Sequence, residues 1–247
     1  MATFTATANH HAVLFAYLTK EAVDGFGHET ADPIVEEAIC AYGRQRGRRM
    51  GMRCEADGFA RDVLGYITYG EWEAQPGQMD IRFPAFGPEA NMQIWKCPWN
   101  EEWKRLGLLE YAKPYCQYVD AALVEGFNPR MKLEMTQNRS FGAECCNFIF
   151  LKNAVAEKDI PQIETRRARL GSKAKMPWDY HIGHLYKTMR AILIKAFGDE
   201  GANACDKALK AYASQYGEAA GERVLACMDI DYDTLPAYAG IDAQAEA

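Results

Sequence analysis

The chain is short of basic charge, of histidine and of long apolar runs, and each shortage excludes something. It carries 28 Lys and Arg against 34 Asp and Glu, a net charge of −6. That disfavours a general nucleic-acid binder, because neutralising phosphates takes clustered cations. No apolar stretch reaches the ~18 residues of a membrane span. The opening MATFTATANHHAVLF lacks the basic segment, apolar run and cleavage site of an export signal. The expectation is a cytoplasmic protein without a membrane partner. The eight cysteines (40, 54, 97, 116, 145, 146, 205 and 227) never form C-x-x-C, so zinc-ribbon and redox-dithiol readings fail. Adjacent Cys145 and Cys146 can pair only in a strained ring. In a reducing compartment most of these thiols should be small buried apolar groups. A glycine-rich phosphate loop, a G-x-S-x-G elbow, an H-E-x-x-H pair and an EF-hand loop are all missing. Phosphoryl transfer and nicotinamide chemistry are therefore unsupported, and neither a cofactor nor a metal is expected.

What is present is an ordinary globular chain. Its 247 residues are 49% apolar and 25% charged, enough for a core that needs no disulfides. The texture suggests one compact α+β domain in four stretches: N-terminal helices over 1–74, a central ββαββ unit over 75–156, C-terminal helices over 157–230, and a weakly ordered tail over 231–247. Apolar residues recur at helical spacing from His11 to Phe26. Asp32-Pro33 looks like the start of a second helix running through Tyr42. YGRQRGRRMG then brings Arg44, Arg46, Arg48 and Arg49, either a solvated helix face or turn, or, with Arg48, an anchor for a substrate carboxylate. A third helix is expected from Glu55 to Tyr69. Short strands are predicted at Asp80–Phe83 and Asn91–Cys97, a short helix from Asn100 to Trp103, and a longer one from Lys113 to Glu125. Two alternating strands follow, Met131–Thr136 and Glu144–Leu151, the second with Cys146, Phe148 and Phe150 on one face. An antiparallel sheet of this kind packs its helix on one side. A polar connector over 157–177 leads to helices at Trp178–Phe197, Ala202–Tyr216 and Glu218–Met228, with Gly198 as a stop.

Few residues stand out chemically. Cys116 and Asp120 lie four apart on the predicted central helix, hence one turn apart on one face. A thiolate attacks electrophilic carbon and a carboxylate moves protons, but a carboxylate alone raises a neighbouring thiol's pKa. His181 and His184 share a helix face and offer an imidazole. Glu134, on a half-buried strand, becomes a useful acid if desolvated. Asn128 before Pro129 reads chiefly as a turn residue, and Cys146 on its strand chiefly as core. Aromatic residues around the central unit, Trp72, Trp95, Trp99 and Tyr115 among them, suit an apolar pocket for a small ligand, plain core, or a homodimer interface.

At the centre the wording becomes specific. Cys97-Pro98-Trp99, Gly107-Leu108, Glu110-Tyr111, then YCQYVDAALVEGFNPRMKLE and CNFIF, in that order, resemble the L-2-amino-thiazoline-4-carboxylic acid hydrolase family. YGRQRGRRM, YGEW and YHIGHLY extend the likeness to about Gly217. The centre also resembles, more weakly, the four-vinyl-reductase type of ligand-binding domain. The first resemblance implies hydrolysis of a C–N bond in a small cyclic amidine, with Cys116 as nucleophile or substrate contact, Asp120 as proton shuttle and His181 as base. It also implies substrate contacts from Asn128 and Cys146; Glu134 and Arg48 join them as candidate substrate contacts on their own chemistry. The second implies a binding or sensing module without turnover.

Overall fold

The computed structural model describes residues 4–239, which form eight α-helices and one four-stranded sheet. Helix α1 (Ala8–Phe26) is the hub. His11, Ala12, Val13, Leu14, Phe15, Ala16 and Leu18 are all buried, so little of it faces water, as befits a helix surrounded by others. Helix α2 (His28–Ala56) begins before the expected Asp32 start and continues through the arginine run. Pro33 is accommodated because the carbonyl it would crowd belongs to exposed Glu29 near the helix start, which is free to tilt toward solvent. The expected third helix shrinks to α3 (Val63–Thr68), capped by the Asp62 carboxylate accepting from the Gly65 N–H at 2.9 Å.

Helices α4 (Pro98–Leu106) and α5 (Leu109–Phe127) connect two hairpins, β1 (Asp80–Ala85) with β2 (Ala90–Lys96) and β3 (Lys132–Gln137) with β4 (Cys146–Leu151). Strand order is β1-β2-β4-β3, with every neighbouring pair antiparallel. The returning β4 therefore inserts between β2 and β3, which leaves β3 at an edge. Register fixes the faces. Phe148 stands opposite Met92 and Met135, and Cys146 opposite Ile94, so these side chains share the inner face. Glu134 stands opposite Ile149 on the other parity and is exposed.

Close approach of α2 to α5 sets the spacing of the whole domain. Gly43, Gly47 and Gly51 recur every four residues on one face of α2. A Cβ at Gly47 would lie 2.0 Å from the Leu123 carbonyl oxygen, and one at Gly126 2.2 Å from that of Arg44. Only hydrogen fits between these backbones.

The 157–177 stretch is not a plain connector: Ile163 and Leu170 are buried and fold it into α6 (Ile160–Leu170). Helix α7 (Trp178–Tyr216) bends at Gly198, whose φ of 59° and ψ of −134° break the helical path at the anticipated stop. Helix α8 (Glu218–Ala226) closes the bundle. Of the expected loose tail, residues 231–239 are tied down: Tyr232 is buried, and Arg49 Nη1 donates to its carbonyl at 2.5 Å. Residues 240–247 lie outside the described residues. No described helix is long and apolar enough to cross a membrane.

Candidate active site

The inner face of the sheet does not press flat on the helices. Between β1, β2 and β4 on one side and α2 and α5 on the other lies a cavity of about 720 Å3. Met92, Ile94, Phe148, Trp72 and Trp99 give it apolar walls, and its polar groups are few.

Cys116 and Asp120 both line it, one turn apart on α5 and half-buried. Burial pushes the Asp120 carboxyl up to about 6, even though Arg46 acts to lower it. Among the described residues Asp120 has no hydrogen-bond partner, so its oxygens are left for whatever enters the cavity. Two further thiols converge here from other elements, Cys97 at the end of β2 and Cys146 at the start of β4. All three are disfavoured as thiolates, chiefly by burial: Cys116 is raised well above the ordinary thiol value, Cys97 to about 12 and Cys146 to about 11. The turn after β3 holds two of them. Ser140 Oγ donates to Cys116 Sγ at 3.2 Å, the Arg139 N–H donates to Cys146 Sγ at 3.4 Å, and Asn100 Nδ2 supports Ser140 Oγ at 3.0 Å. Among the described residues no three His, Cys, Asp or Glu side chains are arranged to hold a metal ion.

The cationic wall comes from α2. Arg49 grips Glu71 with two bonds, Nε to Oε1 at 2.9 Å and Nη2 to Oε2 at 3.0 Å. Arg53 Nη1 reaches Oε1 at 2.7 Å. Burial works to raise the Glu71 carboxyl, yet Arg49, His181 and Arg53 hold it down at about 2. Arg46 is left over. It is 2% exposed, its Nε stands 3.6 Å from Glu71 Oε2, and its Nε and Nη2 have no hydrogen-bond partner. It lines the cavity. Three buried guanidiniums thus share one carboxylate, and Arg46, two of whose nitrogens lack a hydrogen-bond partner, is the one that also lines the cavity. A buried charge left short of partners is costly unless something arrives to pair with it.

Several expectations need correction. His181 does not line the cavity. It is fully buried, its Nε2 meets the Glu71 carbonyl at 3.1 Å, and burial followed by the nearby Arg46 pushes it down to about 3. With Nε2–H donating to that carbonyl, the imidazole helps hold the Glu71 segment and offers no base to Cys116. His184 is likewise buried, against Gln45 at 2.8 Å. Arg48 lies on the outer face of α2 and pairs with Asp233 at 2.8 Å, 48% of its side chain exposed. Glu134 is on the outer face of the sheet. Asn128 closes the end of α5, donating to the Arg61 carbonyl at 2.6 Å and accepting from the Arg130 N–H at 3.0 Å, beside a separate polar groove. Cys116, Asp120 and Cys146 are the candidates that the fold brings together.

Sequence reasoning missed Arg46, Glu71 and Ser140. A signal for Arg46 was available. Tyr42, Arg46, Arg49 and Arg53 follow helical spacing in continuation of the apolar residues Val35, Ala38 and Ile39, whereas Arg44 and Arg48 fall on the other side. Nothing local marks Glu71, because its partners come from a different element.

Fold and site together define an α+β domain with a cavity furnished with a desolvated acid, three thiols and one arginine short of hydrogen bonds. Residues 7–150, more than half of the chain, match the family described as L-2-amino-thiazoline-4-carboxylic acid hydrolase. The chain belongs to that family, whose name places it among hydrolases of a thiazoline acid. The match contains every residue of the cavity floor named above but ends before YHIGHLY. No curated protein and no solved structure matches the chain.

Proposed function

We propose that the protein hydrolyses a C–N bond in a small cyclic amidine that carries a carboxylate, with 2-aminothiazoline-4-carboxylate as the first compound to test. The observation that carries this reading is the presence, in one cavity, of an acid raised to about 6 and a buried guanidinium that shares its carboxylate with two others and is short of hydrogen bonds. Arg46, which lines the cavity, takes the substrate carboxylate by a charge-assisted bond. The ring then rests on Met92, Ile94 and Phe148, with its amidine carbon toward α5.

Asp120, mostly ionised at pH 7, accepts a proton from water as the water oxygen adds to the ring carbon between sulfur and nitrogen. It passes that proton to the ring nitrogen on addition, then takes the hydroxyl proton of the tetrahedral adduct and delivers it to the same nitrogen as the C–N bond breaks. The water oxygen becomes the carbonyl of a carbamoyl group, and both of its hydrogens end on the released amine. A pKa near the working pH serves both halves of this cycle. Cys116 acts as a substrate contact held by Ser140. Its high pKa, and the absence among the described residues of an imidazole or cation beside it, argue against a thiolate nucleophile.

Mass spectrometry of wild type and Arg46→Met with the thiazoline acid and its decarboxylated analogue tests the reading. Wild type should convert the acid preferentially, and the variant should lose that preference. Equal preference in both proteins would remove Arg46 as the anchor; no conversion of any cyclic amidine acid would remove the reaction.

A further inference from the structure

The cavity is larger than a single five-membered ring with one carboxylate requires. Its volume of about 720 Å3 falls in the range of ~300–1,000 Å3 that accommodates drug-sized ligands. It is also cationic in a second place. Lys175 and Arg167 both line it, from the loop after α6 and from α6 itself. Among the described residues neither has a carboxylate within ion-pair distance. Lys175 Nζ donates to the Gly70 carbonyl at 2.7 Å, and Arg167 Nη2 to the Ile67 carbonyl at 2.8 Å. Burial lowers both; Lys175 also feels Arg167 and Arg53 as repelling charges with exposed Glu73 opposing them, and Arg167 feels Glu164 as a favourable one. Two cations that line one apolar cavity and are hydrogen-bonded only to backbone carbonyls leave room for an anion there. Arg46 is fully buried while Arg167 is exposed, so the two cationic places differ in depth. The same cavity is also lined by apolar side chains, Trp72, Met79 and Ile81 among them.

We infer that the natural substrate has two anionic ends, the ring carboxylate at Arg46 and a second carboxylate or phosphate at Lys175 and Arg167, joined by an apolar stretch along Trp72, Met79 and Ile81. This deepens the proposed function and rests on its Arg46 anchor.

Binding alone tests it, without turnover. Titration calorimetry would compare succinate, suberate and sebacate with butyrate, octanoate and decanoate. One dicarboxylate length should bind about tenfold or more tightly than its matched monocarboxylate, as a second charge-assisted contact provides. Lys175→Met and, separately, Arg167→Met should bring that dicarboxylate down to the monocarboxylate's affinity. Should Lys175→Met unfold by circular dichroism, exposed Arg167→Met carries the same comparison. Arg46-dependent monocarboxylate binding with no dicarboxylate advantage at any length overturns this inference alone, as does an advantage that survives both substitutions. Monocarboxylate binding insensitive to Arg46→Met overturns the anchor and this inference with it. Phosphate-ended probes of the favoured length then distinguish the two kinds of second anion.

Discussion

Replacing Asp120 by Asn should destroy activity and raise stability together, and the structure sets both magnitudes. The folded protein holds this carboxyl at about 6, against a reference value of 3.8. Between those two values the folded state keeps a proton that the unfolded chain has released, so stability falls as pH rises through that window. At 1.36 kcal/mol per pH unit the penalty above the window is about 3 kcal/mol. Asn is neutral at every pH and nearly the same shape. The variant should therefore be more stable than wild type by up to about 3 kcal/mol at pH 8, roughly 6–12 °C in melting temperature for a chain of this size. Near pH 3.5 the two should be equal, because the wild-type carboxyl is then largely protonated in both states. In steady-state kinetics, wild-type kcat/KM should climb through a midpoint near 6 as the base ionises and then level off. Asp120→Asn should lose that limb and ~10²–10⁴ of the rate, the usual worth of a positioned proton-transfer group. Melting curves from pH 3.5 to 8 and a pH–rate profile are enough. A stability difference that does not change with pH would show that the carboxyl is not desolvated. A surviving acid limb would move the proton transfer to another group.

Cys116→Ser keeps the Ser140 contact and should stay within about tenfold of wild-type turnover, whereas a covalent route would lose several orders of magnitude; iodoacetamide should label Cys116 slowly at pH 7. Glu71→Gln leaves three buried guanidiniums facing a neutral amide and should cost about 3–5 kcal/mol in urea unfolding. A much smaller cost would mean that water reaches the cluster. Gly47→Ala should destabilise by about 3 kcal/mol or more, because its methyl would meet the backbone of α5, which has no soft side chain to yield. In an isolated helix the same change stabilises by about 1 kcal/mol, so the sign of a melting shift decides whether the helices touch as closely as described.

Local periodicity carried much of the reading. The alternation of Cys146, Phe148 and Phe150 in β4, the helical stripe of α1 and the stop at Gly198 each depend on a residue's near neighbours, and each is present in the structure. So does the one-turn spacing of Cys116 and Asp120. Where the reading went astray, a distant partner had decided the outcome. The Asp32-Pro33 start signal yielded to a longer α2 whose far end is held by the Arg–Glu71 cluster. Helical spacing separates Arg46 from Arg48, but that the inner face of α2 meets Glu71 and the cavity follows only from its packing.

By itself, then, the order of residues determined the α+β class, the alternating strands, and which acid and thiol share a face of α5, because these follow from repeats of two and of 3.6 residues. The tertiary structure alone decided that His181 serves a backbone carbonyl, that Glu134 faces outward, and that three arginines share the one Glu71 carboxylate beside the hollow that Asp120 lines. Desolvation and charge pairing depend on what folds across the gap, and the residues that do so here are far away along the chain.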